Sequence, residues 1–172
     1  MQDTPLVSAA KTLAGEAHHG QFRKYTDLPY IIHPIEVMQI VQSVEHDEAM
    51  LAAALLHDVV EDCEGYTFDT IKEATNDDVA DLVRGLTDVA KPEDGNRATR
   101  KAIEKDRLAK EGARVQTVKL ADIISNSRDI ELHDPKFAKV YNNEMKDLLT
   151  VMKKGNKKLY GEAYKLVHGA FE

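Results

Sequence analysis

The sequence predicts an all-α fold, and three observations carry that expectation. Apolar residues recur at three- and four-residue intervals through most of the chain. Gly20, Pro29, Gly65, Pro92, Gly112, Pro135 and Gly155 punctuate those segments. No convincing two-residue alternation of the strand kind appears; residues 30–32 and the pair Val59-Val60 are the weak candidates. The 172 residues suit one helical-bundle domain of about eight to nine helices.

Taken in order, residues 5–18 carry an apolar stripe of Leu6, Val7, Ala10, Leu13, Ala14 and Ala17, and Gly20 breaks it. Residues 23–29 form a polar loop, closed by a proline that disfavours helix at Leu28. Pro34 suits the first turn of the next helix, where its missing N–H costs nothing; Ile35, Val37, Met38, Ile40 and Val41 follow. His46-Asp47 starts a third helix, and residues 50–60 are apolar nearly all round, so this helix is expected at the centre. A turn at 65–67 precedes short helices at 68–74 and 77–86. After a break at 92–95, a charged helix runs over 96–110. Beyond Gly112, the residues Val115, Val118, Leu120, Ile123 and Ile124 mark another buried helix. Pro135 opens the next, Gly155 ends it, and residues 156–167 close the chain as helix. The expected organisation is one domain over 1–172, with the chemistry within about 10–130 and C-terminal helices within 134–170.

Composition narrows the function classes. Hydrophobic residues make up 42% and charged residues 31%, outside the disordered class. No apolar run approaches the ~20 residues a membrane helix needs, and the N-terminus lacks a basic stretch followed by an apolar one, so neither a membrane span nor a signal peptide is expected. The single cysteine, Cys63, excludes an intramolecular disulfide framework and a Cys-based zinc site, and favours a cytoplasmic setting. The net charge of −7 argues against binding a nucleic-acid polymer. The charge is uneven: between Arg84 and Lys119, ten basic residues face six acidic ones. Such an island either holds a small polyanion or is a solvated helix of mixed charge.

Chemistry is expected where polar residues interrupt apolar segments. In Leu55-Leu56-His57-Asp58-Val59-Val60-Glu61-Asp62, helical spacing stacks His57 with Glu61 and Asp58 with Asp62. Charges emerging from a core need compensation, and a divalent metal with nitrogen and oxygen ligands would supply it. The alternative is a helix leaving the core with solvated carboxylates. Asp122 lies within a second apolar run, with Asn126 one turn on; a hydrogen-bonding role and a ligand role are both open there. His33 precedes Pro34 at a helix start, where a cap or core role is the ordinary one.

Together, His33, His57-Asp58 and the distant Asp122 resemble the H…HD…D signature of the HD-domain metal-dependent phosphohydrolases. The flanking stretches, Gly20-Gln21-Phe22-Arg23-Lys24, Pro29-Tyr30-Ile31-Ile32-His33-Pro34, Ala53-Ala54-Leu55-Leu56-His57-Asp58 and Lys119-Leu120-Ala121-Asp122, are similar to the Rel/SpoT-type alarmone hydrolases. The chain is too short to add the synthetase domain of the long bifunctional members, so a stand-alone hydrolase is expected. The resemblance implies one Mn²⁺ per chain on His33, His57, Asp58 and Asp122. It makes Glu61 and Asp62 the carboxylate pair that deprotonates the attacking water. It gives Arg23, Lys24 and Asn126 to the nucleotide. The reaction it implies removes the 3′-pyrophosphate of guanosine tetraphosphate (ppGpp). Arg97, Arg100, Lys101 and Arg107 are added from charge alone, as expected grips for the far phosphates.

The sequence departs from that family after Asp122: Ile123, Ser125 and Asp129 stand where Arg, His and Thr are usual. An HD phosphohydrolase acting on another nucleotide or phosphorylated small molecule, and a non-catalytic nucleotide or metal sensor, are the alternatives. The intact Glu61-Asp62 pair disfavours the sensor. His18 and His19 are expected to meet the carbonyls ending their helix. Cys63, beside acidic neighbours, is not expected to be a nucleophile. The stripe Tyr160, Tyr164, Val167 is read as packing or as a homodimer face.

Overall fold

The computed structural model describes residues 2–169. Ten α-helices occur among them: α1 Pro5–Ala17, α2 Ile32–Gln42, α3 Glu48–Leu56, α4 Val59–Asp62, α5 Phe68–Ala74, α6 Asp77–Leu86, α7 Arg97–Ala109, α8 Ala113–His133, α9 Pro135–Leu149 and α10 Lys157–His168. A 3₁₀ turn covers Pro92–Asp94. The described residues hold no strand, only an isolated bridge between Phe22 and Pro29. Met1 and Ala170, the latter within the expected C-terminal helices, lie outside the described residues. Among the described residues, no helix is long and apolar enough to cross a membrane.

Local chemistry sets the boundaries. Thr4, Asp47, Thr67, Asn76, Asn96 and Asp134 each accept a hydrogen bond from a backbone N–H in the first turn of the helix they precede. Gly20, at φ +82°, turns the chain out of α1 through a conformation that side chains disfavour. Two elements differ from expectation. The central helix stops at Leu56 and resumes as the four-residue α4, so α3 and α4 replace one expected helix; counted together, the helices number nine. The capping residue explains the break in part: His57 Nδ1 donates to the Ala54 carbonyl at 2.6 Å, engaging one of the carbonyls that a helix end leaves open. The second difference is α9, which ends at Leu149 rather than near Gly155. Gly155 instead lies against α8, where a Cβ would meet Leu120 Cδ1 at 2.6 Å.

The chain forms two compact units, one through Thr87 and one from Asp88. In the first, α1, α2 and α6 all pack on α3. Every residue from Ala49 to Leu56 is buried, as an apolar helix with no polar face requires. In the second, α8, α9 and α10 pack on one another, around Leu120, Ile124, Leu149, Met152 and Leu159.

Candidate metal centre

The end of α3 delivers the site. His57 follows Leu56 directly, so the most buried helix of the first unit fixes its backbone, and the Nδ1–H bond to Ala54 fixes its ring. That bond places the proton on Nδ1, and neutral His57 therefore carries its lone pair on Nε2. His57 Nε2 lies 3.1 Å from Asp58 Oδ2. His33, in the first turn of α2, brings its Nε2 to 3.7 Å from the same oxygen. Both imidazoles are buried and Asp58 is partly so. One ligand atom from each of the three residues lies within 4.8 Å of the others.

The His57–Asp58 contact is an ion pair if Nε2 is protonated and a pair of ligand atoms if it is not, and two nitrogens with one carboxylate oxygen are a donor set that first-row divalent metals accept. The residues present therefore fit a divalent metal.

Asp58 is further held by Tyr30, whose hydroxyl donates to Asp58 Oδ2 at 2.6 Å. Tyr30 sits on the loop between α1 and α2. This loop folds back on itself through Arg23 N–H to Leu28 O at 2.8 Å and Tyr30 N–H to Gln21 O at 2.9 Å. The Arg23 guanidinium lies 5.8 Å from the centre of the Tyr30 ring, and Lys24 lies over Tyr25. Glu61 and Asp62 stand exposed on α4, whose first backbone bond runs from the Asp62 N–H to the Asp58 carbonyl at 2.9 Å.

The structure thus brings together His33, His57 and Asp58. Arg23, Lys24, Glu61 and Asp62 belong to the same unit, whereas Asp122, Asn126, Arg97, Arg100, Lys101 and Arg107 belong to the second. Asp122 is buried on α8, with Lys119 Nζ at 3.0 Å and the Asn126 carboxamide donating at 3.1 Å. Burial opposes the Lys119 charge, but the carboxylates of Asp122 and Asp88 outweigh it and hold the ammonium above its ordinary range. Burial, with the Asp122 carboxylate nearby, pushes the Tyr141 hydroxyl up as well. Of the departures after Asp122, Ile123 and Ser125 are buried; Asp129 pairs with His133 at 3.6 Å.

The basic stretch is engaged internally. Arg97 makes a two-point pair with Glu144, at 2.6 and 3.0 Å. Arg107 meets Glu104 at 2.8 Å, and Lys105 meets Asp147 at 2.8 Å. A cavity of about 510 Å³ opens beside α7 and α9, lined by Arg97, Lys101, Lys105 and Lys119 and equally by Asp88, Glu104, Glu144 and Asp147. Carboxylates thus stand among the basic residues along this cavity. Arg100 keeps a buried Nε without a hydrogen-bond partner.

Sequence reasoning missed three residues. His18 was expected at the helix carbonyls, but its ring is buried, with Nδ1 at 2.8 Å from Gln21 Oε1 and its plane against Tyr30, centres 4.7 Å apart. Gln21 and Tyr30 complete the group. All three stand in or beside the motif stretches, and that placement was the one available signal; helical periodicity says nothing about loop contacts. Cys63 agrees with expectation: it is buried, and burial pushes its thiol up, with Asp62 and Asp58 adding to the shift.

Comparison with known proteins bears on this geometry. The family model described as HD domain matches residues 10–153. A guanosine-3′,5′-bis(diphosphate) 3′-pyrophosphohydrolase of Drosophila melanogaster is 38% identical over 121 residues, 69% of this chain and 65% of that protein. A probable GTP pyrophosphokinase of Mycobacterium leprae is 36% identical over 132 residues, 76% of this chain but 16% of the relative. The chain therefore spans less than two thirds of either relative. A solved structure of a metazoan ortholog of SpoT that hydrolyses ppGpp aligns with a TM-score of 0.87 at 28% identity, covering 99% of this chain and 98% of that one.

Proposed function

This chain belongs to the HD-domain family, and we propose that it is a metal-dependent phosphohydrolase that removes the 3′-pyrophosphate of ppGpp. The observation that carries the reading is the His33–His57–Asp58 cluster, with the buried His57 Nε2 at 3.1 Å from an Asp58 carboxylate oxygen. The likeness to two proteins named for ppGpp hydrolysis supports the substrate.

In this reading His33, His57, Asp58 and Asp122 would hold one Mn²⁺, which would lower the pKa of water and neutralise phosphoryl charge. Glu61 and Asp62 accept the proton of the attacking water. The water oxygen bonds to the phosphorus on ribose O3′, the O3′–P bond breaks, and O3′ takes a proton. GDP and pyrophosphate leave. Arg23 and Lys24, on the loop that carries Tyr30, grip the nucleotide, and Asn126 contacts the nucleoside. The lone buried Cys63 suits a cytoplasmic setting.

One observation favours a second substrate. Arg97 and Arg107 are already paired with carboxylates, so phosphates must displace Glu144 or Glu104 to reach them. A nucleotide with fewer phosphates would not need them. Incubating the Mn²⁺-loaded protein with ppGpp, and separately with 3′-phosphorylated and 5′-nucleotides, decides by ion-exchange analysis of products. GDP with pyrophosphate is the expected result. Phosphate release from another nucleotide alone, with ppGpp intact, moves the substrate and keeps the site.

A further inference from the structure

His18 stands out because a partner fixes the proton on one ring nitrogen and no described residue donates to the other. Gln21 Nε2 donates to the Asp62 carbonyl at 3.2 Å, and a peptide carbonyl is only an acceptor. The Gln21 carboxamide is thereby oriented, and it turns Oε1, also only an acceptor, toward His18 Nδ1 at 2.8 Å. Nδ1 must therefore carry the proton. Cys63 Sγ, at 3.4 Å from the same nitrogen, is a weaker neighbour of that N–H. Nε2 is left with a lone pair.

That lone pair is buried, and no described residue donates to it. His18 as a whole is 3% exposed. A buried acceptor without a donor forfeits the hydrogen bond it would make in water, so such atoms are seldom retained without use. The ring is part of the site: it lies on Tyr30, whose hydroxyl holds Asp58. Burial keeps the imidazole below its ordinary basicity, and the charge of Asp58 and the rings of His57 and His33 are close enough to act on it. One unbroken chain of contacts runs from the Asp62 carbonyl through Gln21, His18 and Tyr30 to Asp58. It ties the α4 carboxylate pair to the metal cluster.

We propose that His18 is a positioning residue of this centre, and that its Nε2 accepts a hydrogen bond from an O–H donor in the site, a water or a hydroxyl of the substrate. The inference rests on the phosphohydrolase reading for its kinetic test, and on the protein alone for its spectroscopic one.

His18→Phe keeps a ring on Tyr30 and removes both nitrogens. His18→Gln places a carboxamide oxygen near the position of Nε2. With Mn²⁺ and ppGpp, His18→Phe should lose about ten- to a hundredfold in kcat/KM, the range found for groups that support a metal site from outside. Its Mn²⁺ affinity should stay within about threefold of wild type, because no ligand is removed. A loss confined to kcat assigns the donor to a water, and a rise in KM assigns it to a substrate hydroxyl. His18→Gln should recover most of the loss. The imidazole ¹⁵N spectrum of the Mg²⁺-loaded protein should show a protonated Nδ1 and an unprotonated Nε2 shifted upfield by a hydrogen bond. Three results overturn the proposal: full turnover by His18→Phe, a His18→Gln variant as impaired as His18→Phe, or a proton on Nε2. If wild type leaves ppGpp intact, the functional reading fails, while the nitrogen spectrum still decides His18.

Discussion

Asp58, just past the end of α3, and Asp122, in the middle of α8, are both carboxylates beside apolar helix, yet the two units surround them differently. Asp58 is met by the imidazoles of His57 and His33 and by the Tyr30 hydroxyl. Asp122 is met by the Lys119 ammonium and the Asn126 carboxamide. Imidazoles can serve a carboxylate as fellow metal ligands, whereas an ammonium at 3.0 Å compensates its charge and cannot bind a metal. The first unit thus offers its charge to a cation, and the second has already spent part of its own on a lysine. The centre of the proposed metal site belongs with the first.

The sharpest way to break this comparison is to exchange each carboxylate for its amide. Asp58→Asn should reduce Mn²⁺ binding and ppGpp turnover to background, read by calorimetric titration and product analysis. Asp122→Asn should weaken Mn²⁺ less than Asp58→Asn does, because Lys119 already balances that position. Equal losses would show that the lysine does not matter. Next in size, Glu61→Gln should cost about 10²- to 10⁴-fold in kcat, the range for a general base, with Mn²⁺ affinity unchanged. Turnover that survives would remove Glu61 from the mechanism.

Stability sharpens the same contrast. Leu55, fully buried on α3 two residues before His57, holds the cluster's backbone. Leu55→Ala should destabilise the protein by about 2–5 kcal/mol in denaturant unfolding. The smallest expected effect is pH dependence from His18. In the unfolded chain this residue titrates near 6.5, and burial lowers that value in the folded state. Between the two values the unfolded chain binds more protons, so stability is full above 6.5 and declines as the pH falls below it, by at most about 1.4 kcal/mol per pH unit from this group. His18→Phe should flatten that part of the profile.

Much of this was legible in the sequence, for physical reasons that differ by residue. The helices at 68–74 and 77–86 follow from capping residues and periodicity, both local signals. The break at His57-Asp58 was hidden because Val59 and Val60 continue the apolar run, and only the ring bond to Ala54 marks the end. His33, His57 and Asp58 were legible as a motif. The occupation of Arg97 and Lys105 was not, since their partners lie 47 and 42 residues away in the chain. His18 escaped for a different reason: its partners Gln21 and Tyr30 lie beyond the end of α1, in a loop whose contacts no helical spacing encodes.

The central claim is that His33, His57 and Asp58 form the metal site. Electron paramagnetic resonance of free Mn²⁺, titrated with wild type and with His57→Ala at matched concentration, tests it most directly. The account predicts one bound ion per wild-type chain and none for His57→Ala while its helical circular dichroism is retained. Equal Mn²⁺ binding by a folded His57→Ala would contradict it.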